Sequence, residues 1–388
     1  MTACIIGWGH TRFGKLDGVD LESLVKTAAG EAITDAGIAP TDVDAIYLGF
    51  YNGGMDPQEF AASLVLQLDP KLRFTPATRV ENACATGSAA IYQGIDAIDA
   101  KRARIVLAVG VEKMTATATA DVTAALAKCS YVKEEASQGV TFPGMFAQMM
   151  QRYYQRYGDK SDAIARIAAK NHRNGAKNPL AHMQKDLGFE FCRHESEKNP
   201  VVVPPLKRTD CSMISDGAAA VVLADVETAL AMKKAIVFRA HEHVQDLLPM
   251  RSRDILKMEG GRRAWRRAFD AAGVSIADLS LVETHDCFTI AELLEYEAMG
   301  LTPEGDGARA IDEGWTEPGG RLPVNLSGGL KSKGHPIGAT GVSMHVMAAS
   351  QLAGTAVGVQ HPSPRLAGVF NMGGSAVANY VSILERLR

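Results

Sequence analysis

A helix-turn-strand unit that occurs twice constrains this chain more than any other feature of its 388 residues. The segment from Ala36, AGIAPTDVDAIYLGF, matches the one from Ala272, AGVSIADLSLVETHD. In each, a glycine (Gly37 or Gly273) closes a helix-like stretch, a short Asp-bearing turn follows, and an apolar strand comes next. Upstream of the first copy, Leu21, Leu24, Val25, Ala28, Ala29, Ala32 and Ile33 recur at helical spacing, and helix-like EGGRRAWRRAFDAAG precedes the second. The matches continue in the same order. ATGSAAIYQGIDAI from Ala85 pairs with ATGVSMHVMAASQL from Ala339, and strand candidate 105–111 with 366–370. The closing strand from Asp216 pairs with the one from Gly373.

The repeat predicts two related β/α halves, residues 1–114 plus 213–230 and residues 231–388, with 115–212 inserted into the first as a cap of helices and loops. Strands that alternate with helices bury their apolar faces in sheets covered by helices. The expectation is an α/β protein with stacked α and β layers.

Charge and cysteine usage narrow the partners. With 41 Lys plus Arg against 44 Asp plus Glu, nothing draws the chain to nucleic acid or an acidic membrane surface. Six cysteines at 4, 84, 129, 192, 211 and 287 form no CxxC pair, so no disulfide framework or structural zinc site is expected. The opening MTACIIGWG lacks a basic region followed by a long apolar one, and no apolar run reaches membrane-spanning length. These features point to a cytoplasmic protein.

Cys84 and His335 occupy corresponding loops of the two halves. Ile91, Ile95 and Ile98 make an apolar stripe behind Cys84, which places the thiol at the start of a helix, where N–H groups and the dipole favour a thiolate. A buried core cysteine and a satisfied loop histidine are the plain alternatives. The duplication favours the functional reading, because equivalent loops of pseudo-symmetric halves converge and bring thiol and imidazole to one site. GLKSKGH lacks the Gly-Lys-Ser/Thr ending of a phosphate loop, and the His241/His243 pair has no further ligand in reach of the sequence, so neither a triphosphate nor a metal is expected.

These motifs resemble the thiolase family over essentially the whole chain. Cys84 with Ala85-Thr86-Gly87 is similar to the family's nucleophile loop, Gly334-His335-Pro336 to its GHP loop, and CSMISDGAAAVVLAD to the stretch that re-enters the core after the cap. His285-Asp286-Cys287-Phe288 stands where most thiolases carry Asn-Glu-Ala-Phe, and this HDCF form resembles the sterol-carrier-protein type and its acetyl-CoA acyltransferase relatives. Asn371-Met372-Gly373 stands where ordinary thiolases place a second catalytic cysteine.

The resemblance implies a layered αβαβα fold and ping-pong acyl transfer through a cysteine thioester, making or cleaving 3-oxoacyl-CoA. Coenzyme A thioesters would be substrates, with no permanently bound cofactor and no metal. It implies Cys84 as nucleophile, His335 as its base and Cys287 as the replacement acid/base. His335 and His285 would serve the enolate oxygen, and the N–H groups of Cys84 and Gly373 the tetrahedral intermediate. Phe288 would line the pantetheine tunnel and Met145 the acyl pocket, with Lys207, Arg208 and Arg239 candidates for the CoA phosphates. A homodimer or tetramer is expected, and a small acyl-CoA-binding partner chain in some relatives. Two other readings stay open at this stage. A ketoacyl-synthase-like condensing enzyme shares the duplicated fold and a Cys–His site, and Asn371 supports a lipid-binding protein without turnover.

Overall fold

The structure, a computed structural model, describes residues 3–388. The N-terminal half contributes β1 (Ala3–His10), α1 (Leu21–Ala36), β2 (Ala45–Gly49), β3 (Ala77–Val80), α2 (Thr86–Asp99) and β4 (Ile105–Glu112). The chain then leaves the sheet, builds α3 (Phe142–Tyr157) and α4 (Ser161–Gly175), and returns as β5 (Gly217–Asp225). The C-terminal half contributes β6 (Ile236–Gln245), α5 (Glu259–Ala272), β7 (Leu281–Glu283), α6 (Thr289–Ala298), α7 (Ile337–Ala353), β8 (Leu366–Gly373) and β9 (Ala378–Arg386).

The repeat read from the sequence is a repeat of topology. β2 runs parallel to β4 as β7 does to β8, and β4–β5–β1 are antiparallel neighbours as β8–β9–β6 are. A single parallel bridge from Val282 to Val324 stands where the first half has β3. The helix ends match too, since Gly37 (φ 72°) and Gly273 (φ 66°) both close their helices in the left-handed region, which glycine enters without a Cβ penalty.

The halves are joined more closely than two separate sheets. β1 and β6 pair through Cys4↔Val237 and Ile5↔Ile236, giving one nine-stranded order, β3-β2-β4-β5-β1-β6-β9-β8-β7. Each of these strands lies at the edge of its own half, and at these two positions the edges pair with one another. α1 covers β1 and β5 on one outside, and α5 covers β6 and β9 on the other. Between the sheet's two wings lie α2, on β2 and β4, and α7, on β4, β5 and β8. The layers are therefore α, β, α, β, α.

Small residues let the two central helices touch. A Cβ on Gly87 would stand 2.6 Å from the Val342 nitrogen and 2.9 Å from the Gly341 nitrogen, and one on Gly341 would stand 2.6 Å from Ser88 Oγ. The Ala-Thr-Gly triplets of the repeat are thus the contact between the helices. Where the cap leaves and re-enters, the buried Asp216 carboxylate accepts from Lys113 Nζ (2.6 Å), Met114 N (2.7 Å), Thr115 N (2.8 Å), Thr115 Oγ1 (2.6 Å) and Leu16 N (3.1 Å). Burial would raise its pKa, but the ammonium and the hydrogen bonds hold it below the ordinary carboxylate value.

Candidate active site

The ends of α2 and α7 that meet are N-terminal, and the loops leading into them carry Cys84 and His335. Ala83 sits at φ 49°, a position that costs a non-glycine residue energy, and the turn is held by Asn82 N donating to Thr86 Oγ1 (2.8 Å) and Thr86 N to the Ala83 carbonyl (3.1 Å). The third loop, between β7 and α6, is the HDCF segment. Its Asp286 accepts from Leu330 N (2.6 Å), Asn171 Nδ2 (2.7 Å) and Lys331 N (3.1 Å), tying the loop to α4 of the cap and to the chain leading into His335. Burial first, then the Glu292 charge, pushes this carboxyl up to about 7.

These loops bring the Cys84 sulfur and a ring nitrogen of both His285 and His335 within 4.8 Å of one another. The two imidazoles stand edge to face, centroids 5.1 Å apart at 85°. Their outer hydrogen bonds set opposite tautomers. His335 Nδ1 lies 2.6 Å from Thr340 Oγ1, whose hydroxyl hydrogen goes to the Pro336 carbonyl (2.9 Å). Nδ1 therefore carries the proton and Nε2 presents a lone pair. His285 Nδ1 lies 2.9 Å from Asn371 Nδ2, which also donates to the Cys84 carbonyl (3.1 Å) while Oδ1 accepts from Ser88 Oγ (2.7 Å). An amide nitrogen only donates, so His285 Nδ1 accepts and Nε2 carries the hydrogen. Both Nε2 atoms are buried with no protein partner. The cluster around Cys84 thus holds one imidazole with a bare Nε2 and one with an Nε2–H.

The helix-terminus thiolate expected from the sequence needs correcting. Burial raises the Cys84 thiol well above its ordinary pKa and Cys129 adds to this, outweighing the N–H of Gly374, which favours the thiolate. Burial, with the Lys333 charge, takes His335 down to about 3. Thiol and imidazole are both neutral at rest. Gly373, one residue before Gly374, is a point of close approach, because a Cβ there would lie 2.5 Å from the Asn82 carbonyl oxygen. Cys287 is buried beside this cluster, and burial and then the Cys84 charge raise its thiol. Its carbonyl accepts from Ser212 N (2.9 Å) and Cys211 bridges to Phe288, so the re-entering CSMISD segment clamps the HDCF loop.

Phe288 stacks on Phe146 of α3 (4.3 Å, 20°), with Met145 buried on the same helix, at the junction of cap and core. The three basic residues expected at the CoA phosphates do not converge. Lys207 is mostly buried on Asp210 (3.1 Å), and Arg239 is held by Glu385 (2.8 Å) and the Ala272 carbonyl (2.8 Å) on the α5 side of the sheet. Only Arg208 is exposed. A cleft of about 690 Å³ reaches the nucleophile loop from another side, lined there by Asn82, Ala83, Cys129 and Gly374, with Arg79 and Lys128 in its wall. Three residues of the site were missed in the sequence: Thr340, Asp286 and Asn371. Thr340 was signalled by its place in the repeated Ala-Thr-Gly triplet. In sequence, Asn371 reads as an absent cysteine and as support for a protein without turnover, not as a partner of His285.

The duplicated αβαβα fold brings one cysteine and two histidines together at the heads of its two central helices and the β7–α6 loop, a constellation suited to acyl transfer through a cysteine. The family description "Thiolase, N-terminal domain" matches residues 3–227 and "Thiolase C-terminal domain-like" matches residues 240–386, and the chain belongs to the thiolase family. The acetyl-CoA acetyltransferase of Methanothermobacter thermautotrophicus is 37% identical over 385 residues, covering 98% of this chain and 99% of that protein. Sterol carrier protein 2 of Oryctolagus cuniculus is 34% identical over 392 residues, covering 96% of this chain and 70% of that protein. Among solved structures, the Ltp2-ChsH2(DUF35) aldolase aligns with a TM-score of 0.85 at 23% identity, over 100% of this chain and 98% of that one. The protein is a thiolase and hence an acyltransferase.

Proposed function

We propose that the enzyme joins two acyl-CoA thioesters, or cleaves a 3-oxoacyl-CoA in reverse, by dividing the work between two Cys–His pairs. In the synthetic direction Cys84 Sγ attacks the carbonyl carbon of acetyl-CoA as its proton passes to His335 Nε2. Collapse breaks the bond to the CoA sulfur, which leaves with a proton from Cys287. Acetyl-Cys84, a Cys287 thiolate and a protonated His335 remain. Cys287 then takes an α-proton from the second acetyl-CoA, and the enolate oxygen meets two donors, His285 Nε2–H and the newly protonated His335 Nε2–H. The enolate carbon attacks the acetyl carbonyl, the bond to Cys84 breaks, and the His335 proton returns to sulfur as acetoacetyl-CoA forms. A thiol that is a weak acid gives a strong thiolate base, which suits proton removal next to a carbonyl.

The observation that carries this reading is the pair of outer hydrogen bonds, His335 Nδ1 to Thr340 and His285 Nδ1 to Asn371, which assign opposite tautomers to the two histidines clustered with Cys84. Backbone N–H groups of Cys84 and Gly373 stabilise the tetrahedral intermediate, and Phe288 and Met145 shape the acyl end under the cap formed by 115–212. The experiment is intact-mass analysis after mixing with acetyl-CoA. Cys84→Ser is expected to take up no acetyl group, and an adduct on another residue contradicts the assignment.

The enzyme works as a homodimer or tetramer in this reading. Supporting it, β3 has a neighbour on one side only, and Phe60 (82% exposed) and Phe74 (83% exposed) flank that edge. Analytical ultracentrifugation reads the state directly. A small partner chain of the DUF35 kind is part of the proposal, from the likeness to the aldolase whose name includes one. The role proposed is in acyl-CoA and lipid metabolism, and the location proposed is cytoplasmic, the latter supported by six unpaired cysteines.

A further inference from the structure

Asn371 occupies the place where an ordinary thiolase has its second catalytic cysteine, yet it is fully buried and both ends of its amide are bonded. Oδ1 accepts from Ser88 on α2, and Nδ2 is shared between the Cys84 carbonyl and His285 Nδ1. The Cys84 carbonyl can only accept, which fixes the amide's orientation independently of the histidine. The amide is further confined by α7, because a Cβ on Gly341 would collide with Oδ1. Histidine in isolation exchanges freely between tautomers, and in a buried site the partner of one nitrogen decides what the other presents.

We infer that Asn371 is a positioning residue that locks His285 in the Nε2–H tautomer, so that the HDCF histidine serves the reaction as a hydrogen-bond donor and does not compete with His335 for the Cys84 proton. The loss of the acid/base cysteine from this strand and the gain of a histidine in the HDCF loop are then one linked change. The thiol role moves to Cys287, and the vacated strand position orients the new imidazole. The same amide grips the nucleophile's own carbonyl, which couples the enolate donor to the acylated cysteine in a fixed geometry. This inference rests on the reading of His285 as the enolate donor given above.

The test separates tautomer, half-reactions and the underlying reading. Protein labelled with ¹⁵N-histidine gives the His285 tautomer by NMR, the signal being assigned by its loss in His285→Asn. In the wild type the hydrogen is expected on Nε2, and a bare Nε2 overturns the inference without any variant. Asn371→Asp replaces the donor by an acceptor, so the hydrogen moves to Nδ1. Exchange of the acetyl-CoA methyl protons with deuterated solvent should then fall about 10²- to 10³-fold, the usual cost of one oxyanion donor, a markedly larger loss than that of Cys84 acetylation, which the altered contact to the Cys84 carbonyl also slows. A His285 tautomer unchanged in Asn371→Asp, or equal losses in both half-reactions, overturns the inference. His285→Ala tests the reading beneath it. Undiminished methyl exchange there shows that His285 is no enolate donor, whatever the tautomer.

Discussion

Replacing Thr340 by valine keeps the volume and removes one oxygen, the atom that accepts from His335 Nδ1 at 2.6 Å. The Pro336 carbonyl loses the hydroxyl but keeps backbone donors from Ala339 (3.0 Å) and Thr340 (2.9 Å), so the damage is confined to the imidazole. A neutral hydrogen bond contributes about 1 kcal/mol and one to a charged group about 1.5–3 kcal/mol. Only the gain on charging His335 accelerates attack by Cys84, which amounts to about 0.5–2 kcal/mol. With Nδ1–H unsupported the base tautomer also loses its preference, a further factor of roughly two. Together these slow acetylation of Cys84 roughly 5- to 60-fold. Rapid-quench intact-mass kinetics with acetyl-CoA measures this step alone. Acetylation at the wild-type rate refutes the orienting role, as does a His335→Ala/Thr340→Val double variant markedly slower than His335→Ala alone, because a residue acting through His335 has nothing left to orient.

Other expectations follow from the same geometry. A base whose pKa is lowered keeps its lone pair as the pH falls, so with His335 at about 3 the acetylation rate should show no limb near 6.5. Such a limb, abolished in His335→Ala, contradicts the buried neutral base. Asp216→Asn leaves Lys113 without its counter-charge and should cost about 3–5 kcal/mol in urea melts. The Asp216 pKa is held down, so its contribution is full above the unfolded carboxylate range and fades as the pH drops below it. Equal melts for variant and wild type at pH 7 contradict that account. Gly341→Ala forces a methyl group against Ser88 and Asn371 and should lose about 1–3 kcal/mol of stability together with methyl-proton exchange.

Much of the fold was readable because duplication writes the same physics twice. Two glycines in the left-handed region, two apolar strands after an Asp-bearing turn and two Ala-Thr-Gly triplets are local features, and each copy supports the other. Cys84 and His335 could be paired on that logic alone. The edge pairing of β1 with β6 was not readable, because it depends on two strands about a half-chain apart meeting in register. The same limit applied to the basic residues. Lys207, Arg208 and Arg239 look alike in sequence, and only packing shows Arg239 tied to Glu385 and Lys207 to Asp210. Asn371 was misread for a related reason. Its chemistry lies in three partners distant in sequence, Ser88, the Cys84 carbonyl and His285, and without them an asparagine in place of a cysteine reads as a loss. The thiolate expected at the head of α2 failed because a helix end stabilises charge only modestly, whereas complete burial opposes it more strongly.

A single set of samples tests whether Cys84 carries the acyl group while Cys287 moves the α-proton. Wild type, Cys84→Ser and Cys287→Ala are mixed with acetyl-CoA in deuterated water, and each is read for protein-bound acetyl by intact mass and for methyl deuteration of the thioester. Acetylated protein without deuterated substrate is expected for Cys287→Ala, and no acetylated protein for Cys84→Ser. Wild-type deuteration by Cys287→Ala, or an acetyl group on Cys84→Ser, contradicts it.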